Sequence, residues 1–488
     1  MLEFTTESVA AVLKTPMAGA SGPVTGVSTD SRTIRPGDCF FAIAGENFDG
    51  HQYVTRAFAQ GATCAVVNAD AEGLAEINGP LLRVPDTIAA LGELAGAYRK
   101  TRPFKVVAIT GSVGKTTTRQ IVHHVLNRHF RAHQAKKNFN NTIGLPLTLL
   151  EADLDDEVIV AELGANQPGE IAYLTRIAQP DVVVVTNVHP AHLAGFGNLN
   201  TIIKEKTSIA EGLAADGVFI VNGDIGALTE ACHAGARAFK TFGRSPDCDY
   251  RAEQIVHEGL TSAFTIDGTR VHLPLPGPGN VDNAAAAWAV CAAFGLEVTD
   301  FAKALASLPP VSMRAEPIQI GTLMVLNDCY NASPASMNNA LATLSNLRLH
   351  SPGHERRVTG DGSPRLVFIC GAMAELGDQS ESLHAELGRA VARARVDLLV
   401  TVGEATQATA QAAREANPSH LQSEHFDNTV ALCDRLQQLL REYDIILVKG
   451  SRTAQLENVV EKLRESVARG PCPVPGDTSD GTRATGHE

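Results

Sequence analysis

The chain has 488 residues, too many for a single hydrophobic core, and a length of this order divides into about three domains. Composition is that of a water-soluble α/β protein, 44% apolar and 19% charged with one Trp. A net charge of −13 excludes duplex nucleic acid as the main partner, which needs a basic face, but leaves room for anions held by local cations.

The nine cysteines are scattered, with no C-x-x-C pair, and read as free thiols of a reducing compartment. The opening "MLEFTTESVAAVL" lacks the basic and apolar regions of a signal peptide, and no window approaches eighteen apolar residues. The expectation is a cytoplasmic protein without membrane insertion.

In chain order, the first hundred residues alternate strand-like runs (Cys39–Ile43, Cys64–Val67, Leu81–Val84) with turns and two helical patterns. The polar stretch "YRKTRP" then links to a strand–helix rhythm. "KVVAIT" leads through a Gly-rich loop into a helix whose Ile121, Val122, Val125 and Leu126 recur at helical spacing. "VIVAELG" (158–164), "DVVVVTNV" (181–188) and "GVFIVNGD" (217–224) follow, with helices expected from about Gly169 and Thr201. Such runs of β-branched residues without alternation suit strands of a parallel sheet buried on both faces. A small β excursion is expected over 245–275, then an Ala-rich helix, with Asn280 as a fair N-cap. After "SLPPVSMRAEP" come "LMVLNDCY", "RLVFICG", "DLLVTVG" and "DIILVKG", the pattern of an open doubly wound sheet. Residues 350–364 read as a surface loop and those from 470 as a tail without packing signal.

The loop "TGSVGKTT" is the outline of a phosphate cradle. Gly111 and Gly114, with Ser112 and Val113 between them, let backbone amides approach phosphate oxygens at a helix N-terminus. Lys115 can reach the β/γ oxygens, and the Thr116 hydroxyl, beside Thr117, can ligate Mg²⁺. The full pattern wants a Gly six residues before the Lys, where Ile109 stands. Glu162, Asn187, His189 and His192 fall at neighbouring strand ends, a donor set suited to Mg²⁺ or Mn²⁺. Lys204 and Lys206 lie two apart on a helix, so at most one faces that rim. Asn283 can bond a base edge, Arg314 can clamp a phosphate, and Asp328 can bind a ribose or orient Arg314.

Taken together, "TGSVGKTT", "NNTIGLP", "AELGANQPGEI", "TNVHPAHLAGFG", "GPGNVDNAAAA", "DCYNASP", "GAMAELG" and "VKGSR" resemble the Mur ligase family over about residues 24–460. The resemblance is strongest to its dipeptide-adding members, because "MAELG" replaces the Asn-Pro-Arg type box of sister ligases. It implies three α/β domains: a UDP-sugar-binding domain (1–102), a central P-loop ATPase-like domain with a mostly parallel sheet (103–313), and a Rossmann-like domain binding the incoming dipeptide (314–469). It implies ATP, two Mg²⁺ ions, and a UDP-N-acetylmuramoyl-tripeptide whose carboxylate becomes an acyl phosphate that the amine of D-alanyl-D-alanine attacks. In that scheme Thr116, Glu162 and His192 hold metal, Lys206 is carbamylated, and Asn283, Arg314 and Asp328 reach the nucleotide. Asn331, Ser451 and Arg452 would meet the dipeptide, Asp30, Ser31, Arg32 and His51 the UDP moiety, and Asn141 would also bind substrate. A monomer is expected; the third residue of the acceptor peptide, lysine or a diamino acid, stays open. Cys329 stands where this motif often has Ser.

Overall fold

The computed structural model describes residues 3–17, 19–45, 48–136, 139–191, 193–235, 237–349 and 364–468. Apart from Pro364, the expected 350–364 loop and the tail from 470 lie outside these residues. The first sheet is parallel and follows chain order: β1 (Gly26–Ser28), β2 (Asp38–Phe41), β3 (Cys64–Asn68) and β4 (Leu81–Val84). Helix α1 (Thr87–Lys100) starts where the Asp86 carboxylate accepts from the amides of Ile88 and Ala89. Its Leu91 and Leu94 share one apolar cluster with Ile171 and Leu174, so the first sheet is welded to the second unit. The Tyr98 hydroxyl, donating to the carbonyl of Ala152 at 3.0 Å, pins the same seam.

The second sheet comprises β5 (Lys105–Thr110), β6 (Ala132–Gln134), β7 (Val158–Glu162), β8 (Val182–Val185), β9 (Val218–Asn222), β10 (Lys240–Gly243) and β11 (Tyr250–Arg251). All run parallel in the order β11-β10-β9-β8-β5-β7-β6. The chain therefore reverses direction across the sheet at β5, and the crevice beyond its carboxyl end is where such sheets bind ligands. Helices α2 (Lys115–Leu126), α3 (Gly144–Leu150), α4 (Glu170–Ala178), α5 (Leu199–Thr207) and α6 (Pro278–Ala293) surround it. The Ala284–Ala287 run of α6 is buried in one cluster with Ile121, Val122 and Val125 of α2, the close packing that small side chains permit. An antiparallel meander, β12 (Glu253–Glu258), β13 (Thr261–Ile266) and β14 (Thr269–Leu273), precedes α6. Asn280 is not the N-cap expected of it: Gly277 holds that position because Pro278 opens the helix, and Asn280 instead donates to the Pro276 carbonyl.

The third sheet has β15 (Glu316–Ile320), β16 (Leu323–Asn327), β17 (Leu366–Gly371), β18 (Leu398–Val402), β19 (Gln422–Phe426) and β20 (Ile445–Lys449) in the order β15-β16-β20-β17-β18-β19. Only β15 is antiparallel. Helix α7 (Pro334–Leu349) rests on the Gly277–Gly279 turn of the central unit, so closely that a Cβ on Gly277 would meet Thr343 Oγ1 at 2.0 Å. Leu383 of α8 (Ser380–Arg393) packs both against the cluster shared by the first two units and against the third unit's own core.

Candidate active site

The Gly-rich loop lies at the carboxyl end of β5 and turns into α2 through Gly114, whose φ of 86° favours glycine. Both loop glycines are also forced by contact. A Cβ on Gly111 would meet Thr186 Oγ1 at 2.0 Å, and one on Gly114 would meet Asn283 Oδ1 at 2.1 Å. The end of β8 holds the loop from beneath. The Val113 amide donates to Asn187 Oδ1 at 2.8 Å, Thr186 Oγ1 donates to the Val113 carbonyl at 2.7 Å, and Ser112 Oγ donates to the His189 carbonyl at 3.0 Å. Asn187 and His189 are thus loop supports. Ile109 pairs with Glu162 and Val184 inside the sheet, fully buried, so the position that departs from the full pattern belongs to the core.

Glu162 is where the elements meet. Its carboxylate is buried at the end of β7 and accepts from the Thr116 hydroxyl at 2.9 Å and from Asn140 Nδ2 at 3.0 Å. Arg119, one turn beyond Lys115 on α2 and also buried, brings its Nε to 4.0 Å. Arg314 reaches over from the start of the third unit, stacks on the Tyr330 ring at 4.0 Å and donates to Thr116 Oγ1 at 3.3 Å. Burial pushes the Glu162 carboxyl up, but Lys115, Arg119, Asn140 and Arg314 together hold it below its usual value. Burial lowers the amine of Lys115, against the pull of Glu162 and with the repulsion of Arg314. Its Nζ meanwhile donates to the Gly111 carbonyl at 2.8 Å, folded across the cradle. An excess of cations around one carboxylate is the electrostatics of an anion site, and the facing hydroxyl and carboxylate oxygens of Thr116 and Glu162 suit a hard divalent cation.

His192 lies outside the described residues, and among those described no three His, Cys, Asp or Glu side chains cluster as a metal site. The two lysines of α5 do point apart: Lys204 is exposed while Lys206 is 3% exposed, with its Nζ 5.7 Å from the centre of the Phe196 ring. Burial, aided by the like charge of Lys115, brings the Lys206 amine down to about 7 against the attraction of Glu205 and Glu170. Glu205 is itself engaged, accepting from the amides of Gly169 and Ile171 at 2.7 Å each.

Asn283 sits against Gly114 and donates to Asn280 Oδ1 at 3.1 Å, placing an amide beside the cradle. Asp328 accepts from the amide of Ala315 at 3.2 Å, so it orients the backbone that carries Arg314. It also pairs at 2.7 Å with the buried Lys449, which donates to the Asn331 carbonyl as well. Ser451 is buried and bonds Thr453, while Arg452 pairs with Glu457 at 3.0 Å. Asn141 is exposed, its Oδ1 accepting from the amides of Ile143 and Gly144 at the start of α3, and the neighbouring Asn140 makes the contact with Glu162. In the first unit Asp30 is held at about 2 by its hydrogen bonds from Arg32. Ser31 is nearby and buried, and His51 commits both ring nitrogens to protein, Nδ1 to Asp49 at 2.6 Å and Nε2 to the Asn68 amide at 3.0 Å. Sequence reasoning missed Asn140, Arg119, Tyr330 and Lys449. Arg119 carried a signal in its i+4 spacing from Lys115, while Asn140, Tyr330 and Lys449 lie within "NNTIGLP", "DCYNASP" and "VKGSR".

Family models cover most of the chain: "Mur ligase family, catalytic domain" at 23–99, "Mur ligase middle domain" at 109–291 and "Mur ligase, glutamate ligase domain" at 313–452. A UDP-N-acetylmuramoyl-tripeptide–D-alanyl-D-alanine ligase of Bacillus subtilis is 34% identical, the alignment covering 96% of this chain and 99% of the relative. MurF from Acinetobacter baumannii superposes with a TM-score of 0.82 at 30% identity, over 95% of this chain and 99% of that one. MurF ligase from Thermotoga maritima, solved in complex with ADP, gives 0.77 at 25% identity, over 91% and 98%. With three family models in sequence and full-length relatives above 30% identity, this chain belongs to the Mur ligase family.

Proposed function

We infer that the chain is an ATP-dependent ligase that joins D-alanyl-D-alanine to the peptide of a UDP-N-acetylmuramoyl-tripeptide, releasing ADP and phosphate. One observation carries the reading: the buried Glu162 carboxylate gathers the phosphate cradle through Thr116, the residues just before α3 through Asn140 and the third unit through Arg314 on Thr116. An enzyme that uses nucleotide alone has no need to bring a second unit to that carboxylate. Full-length likeness to ligases of this name, including one solved with ADP, supports the same chemistry.

In this reading the first unit, to about residue 102, takes the UDP group near Asp30, Ser31, Arg32 and His51. The central unit, to about 313, takes ATP, with Asn283 at the base and Lys115 and Arg314 as counter-charges to the phosphates. The third unit takes the dipeptide near Asn331, Ser451 and Arg452, whose guanidinium suits a carboxylate. The terminal carboxylate of the tripeptide attacks the γ-phosphorus, and the bond to the ADP oxygen breaks with its electron pair. The dipeptide's neutral amine then attacks the acyl carbon, a C–N bond forms, phosphate leaves, and the amine's proton departs with it or to water. Thr116, Glu162 and His192 would hold Mg²⁺, which neutralises phosphate charge so that two anions can meet.

Lys206 is read as carbamylated. With its amine at about 7, a large share is neutral at physiological pH, and only a neutral amine adds to CO₂. The N–C bond forms and one proton goes to water, so that a buried cation is replaced by a carbamate whose oxygens would help hold a second Mg²⁺. Among the described residues no helix is long and apolar enough to cross a membrane. ATP and nucleotide-linked precursors are cytoplasmic solutes, and we place the enzyme there, as a monomer. The test is phosphate release with UDP-N-acetylmuramoyl-tripeptide. We expect release with D-alanyl-D-alanine and none with single amino acids; the reverse pattern would move the chain to a sister ligase.

A further inference from the structure

We propose that His384, which lies on α8 and outside the site residues named above, positions the 372–377 loop so that the dipeptide's amine meets the acyl phosphate; this rests on the ligase reading above. His384 is fully buried, and both ring nitrogens are spent on backbone. Nε2 accepts from the Met373 amide at 3.1 Å, and Nδ1 faces the Ser380 carbonyl at 2.8 Å as its donor. That pair of bonds is satisfied only by the neutral tautomer protonated at Nδ1.

The loop held in its middle by His384 is anchored at both ends to opposite sides of the reaction. At the near end the Ser451 amide donates to the Ala372 carbonyl at 2.9 Å, beside the residues proposed for the dipeptide. There Gly371 and Gly450 approach so closely that a Cβ on Gly450 would meet Gly371 Cα at 2.9 Å. At the far end the Ala194 amide donates to the Glu375 carbonyl at 3.2 Å, on the segment that carries Phe196 to Lys206. At the far anchor Glu375 adopts a φ of 61°, and just past it Gly377 one of 57°, so the loop leaves through a constrained bend. A loop fixed at Ser451 and Ala194 sets the distance between the amine side and the metal side, and His384 fixes its middle. Removing the Nε2 acceptor leaves the Met373 amide unpaired in a buried place, which the loop relieves by moving. A shift of about 1 Å at a reacting atom costs up to about 100-fold in rate.

The test compares His384→Leu with His384→Gln in the full chain, the Gln retaining an amide oxygen that can accept from Met373. For H384L we expect KM for D-alanyl-D-alanine to rise about tenfold or more with a fall in kcat, and KM for ATP and for the UDP-tripeptide to stay within about twofold. Acyl phosphate, trapped as the hydroxamate by hydroxylamine without dipeptide, should form as in the wild type. H384Q should recover most of the loss. Equal rises in all three KM values, loss of hydroxamate, or wild-type kinetics in folded H384L would overturn the proposal. If H384L does not fold, His384→Asn, too short to reach Met373, takes its place against H384Q under the same criteria. A wild-type enzyme without dipeptide-dependent phosphate release would instead sink the ligase reading, whatever His384 does.

Discussion

Lys206 shows at the scale of one residue how burying an amine costs stability. In the unfolded chain its amine titrates near 10.5, in the folded chain at about 7. Between those values the unfolded state holds the proton and the folded state does not, so this residue makes stability rise with pH across that window. Below 7 the penalty is felt in full. Lys206→Met should therefore stabilise the protein in CO₂-free buffer at pH 7, by about 1–3 kcal/mol in urea unfolding, while removing ligase activity. Unchanged stability with lost activity would mean that the amine is solvated after all. That only one of Lys204 and Lys206 faces inward was legible, because two residues apart on a helix cannot share a face; that it is Lys206 came from the family resemblance. The choice between Asn140 and Asn141 was not. Adjacent asparagines look alike in sequence, and only the start of α3 at Gly144 decides which one accepts from its first amides and which one reaches Glu162.

Elements were readable in kind more than in neighbourhood. The β-branched runs at β7 and β8 announced buried parallel strands, and both are buried throughout. Nothing in those runs says that β5 lies between them, since strands covered on both faces carry no mark of their partners. The cradle was legible as strand, loop and helix; the reason for its shortened form was not, because it lies in the pairing of Ile109 with Glu162. The junction of β5 and α2 yields a direct test. Gly114→Ala combines a left-handed φ of 86° with a collision at Asn283 Oδ1, which sits 2.1 Å from the new Cβ. We expect a loss of about 1–3 kcal/mol in stability and at least tenfold weaker ADP binding by calorimetry. Wild-type ADP affinity in this variant would separate Gly114 from the nucleotide.

Across the whole molecule, three sheets were foreseeable from length and rhythm, yet their contacts were not. The first two share a core, whereas the third meets them through narrow touches, among them Thr343 on Gly277, Arg314 on Thr116, Ala194 on Glu375 and Leu383 on the shared apolar cluster. Such contacts depend on single glycines and backbone groups scattered over hundreds of residues, which no local pattern encodes. They also predict where closure is vulnerable. Thr343→Phe should hold α7 off the Gly277 turn, lowering kcat about tenfold while ADP affinity stays within about twofold. Small-angle scattering with an ATP analogue and the UDP-tripeptide should then show a larger radius of gyration than the wild type; equal compaction and equal kcat would refute the role of this seam. The strut from Ser451 to Ala194 has a further consequence for descent and redesign. Because one loop both faces the incoming nucleophile and ties two units together, a change of nucleophile cannot be inherited as a pocket change alone. A loop grafted from a sister enzyme would bring that enzyme's domain spacing with it, so in this architecture selectivity and motion are traded as a single heritable part.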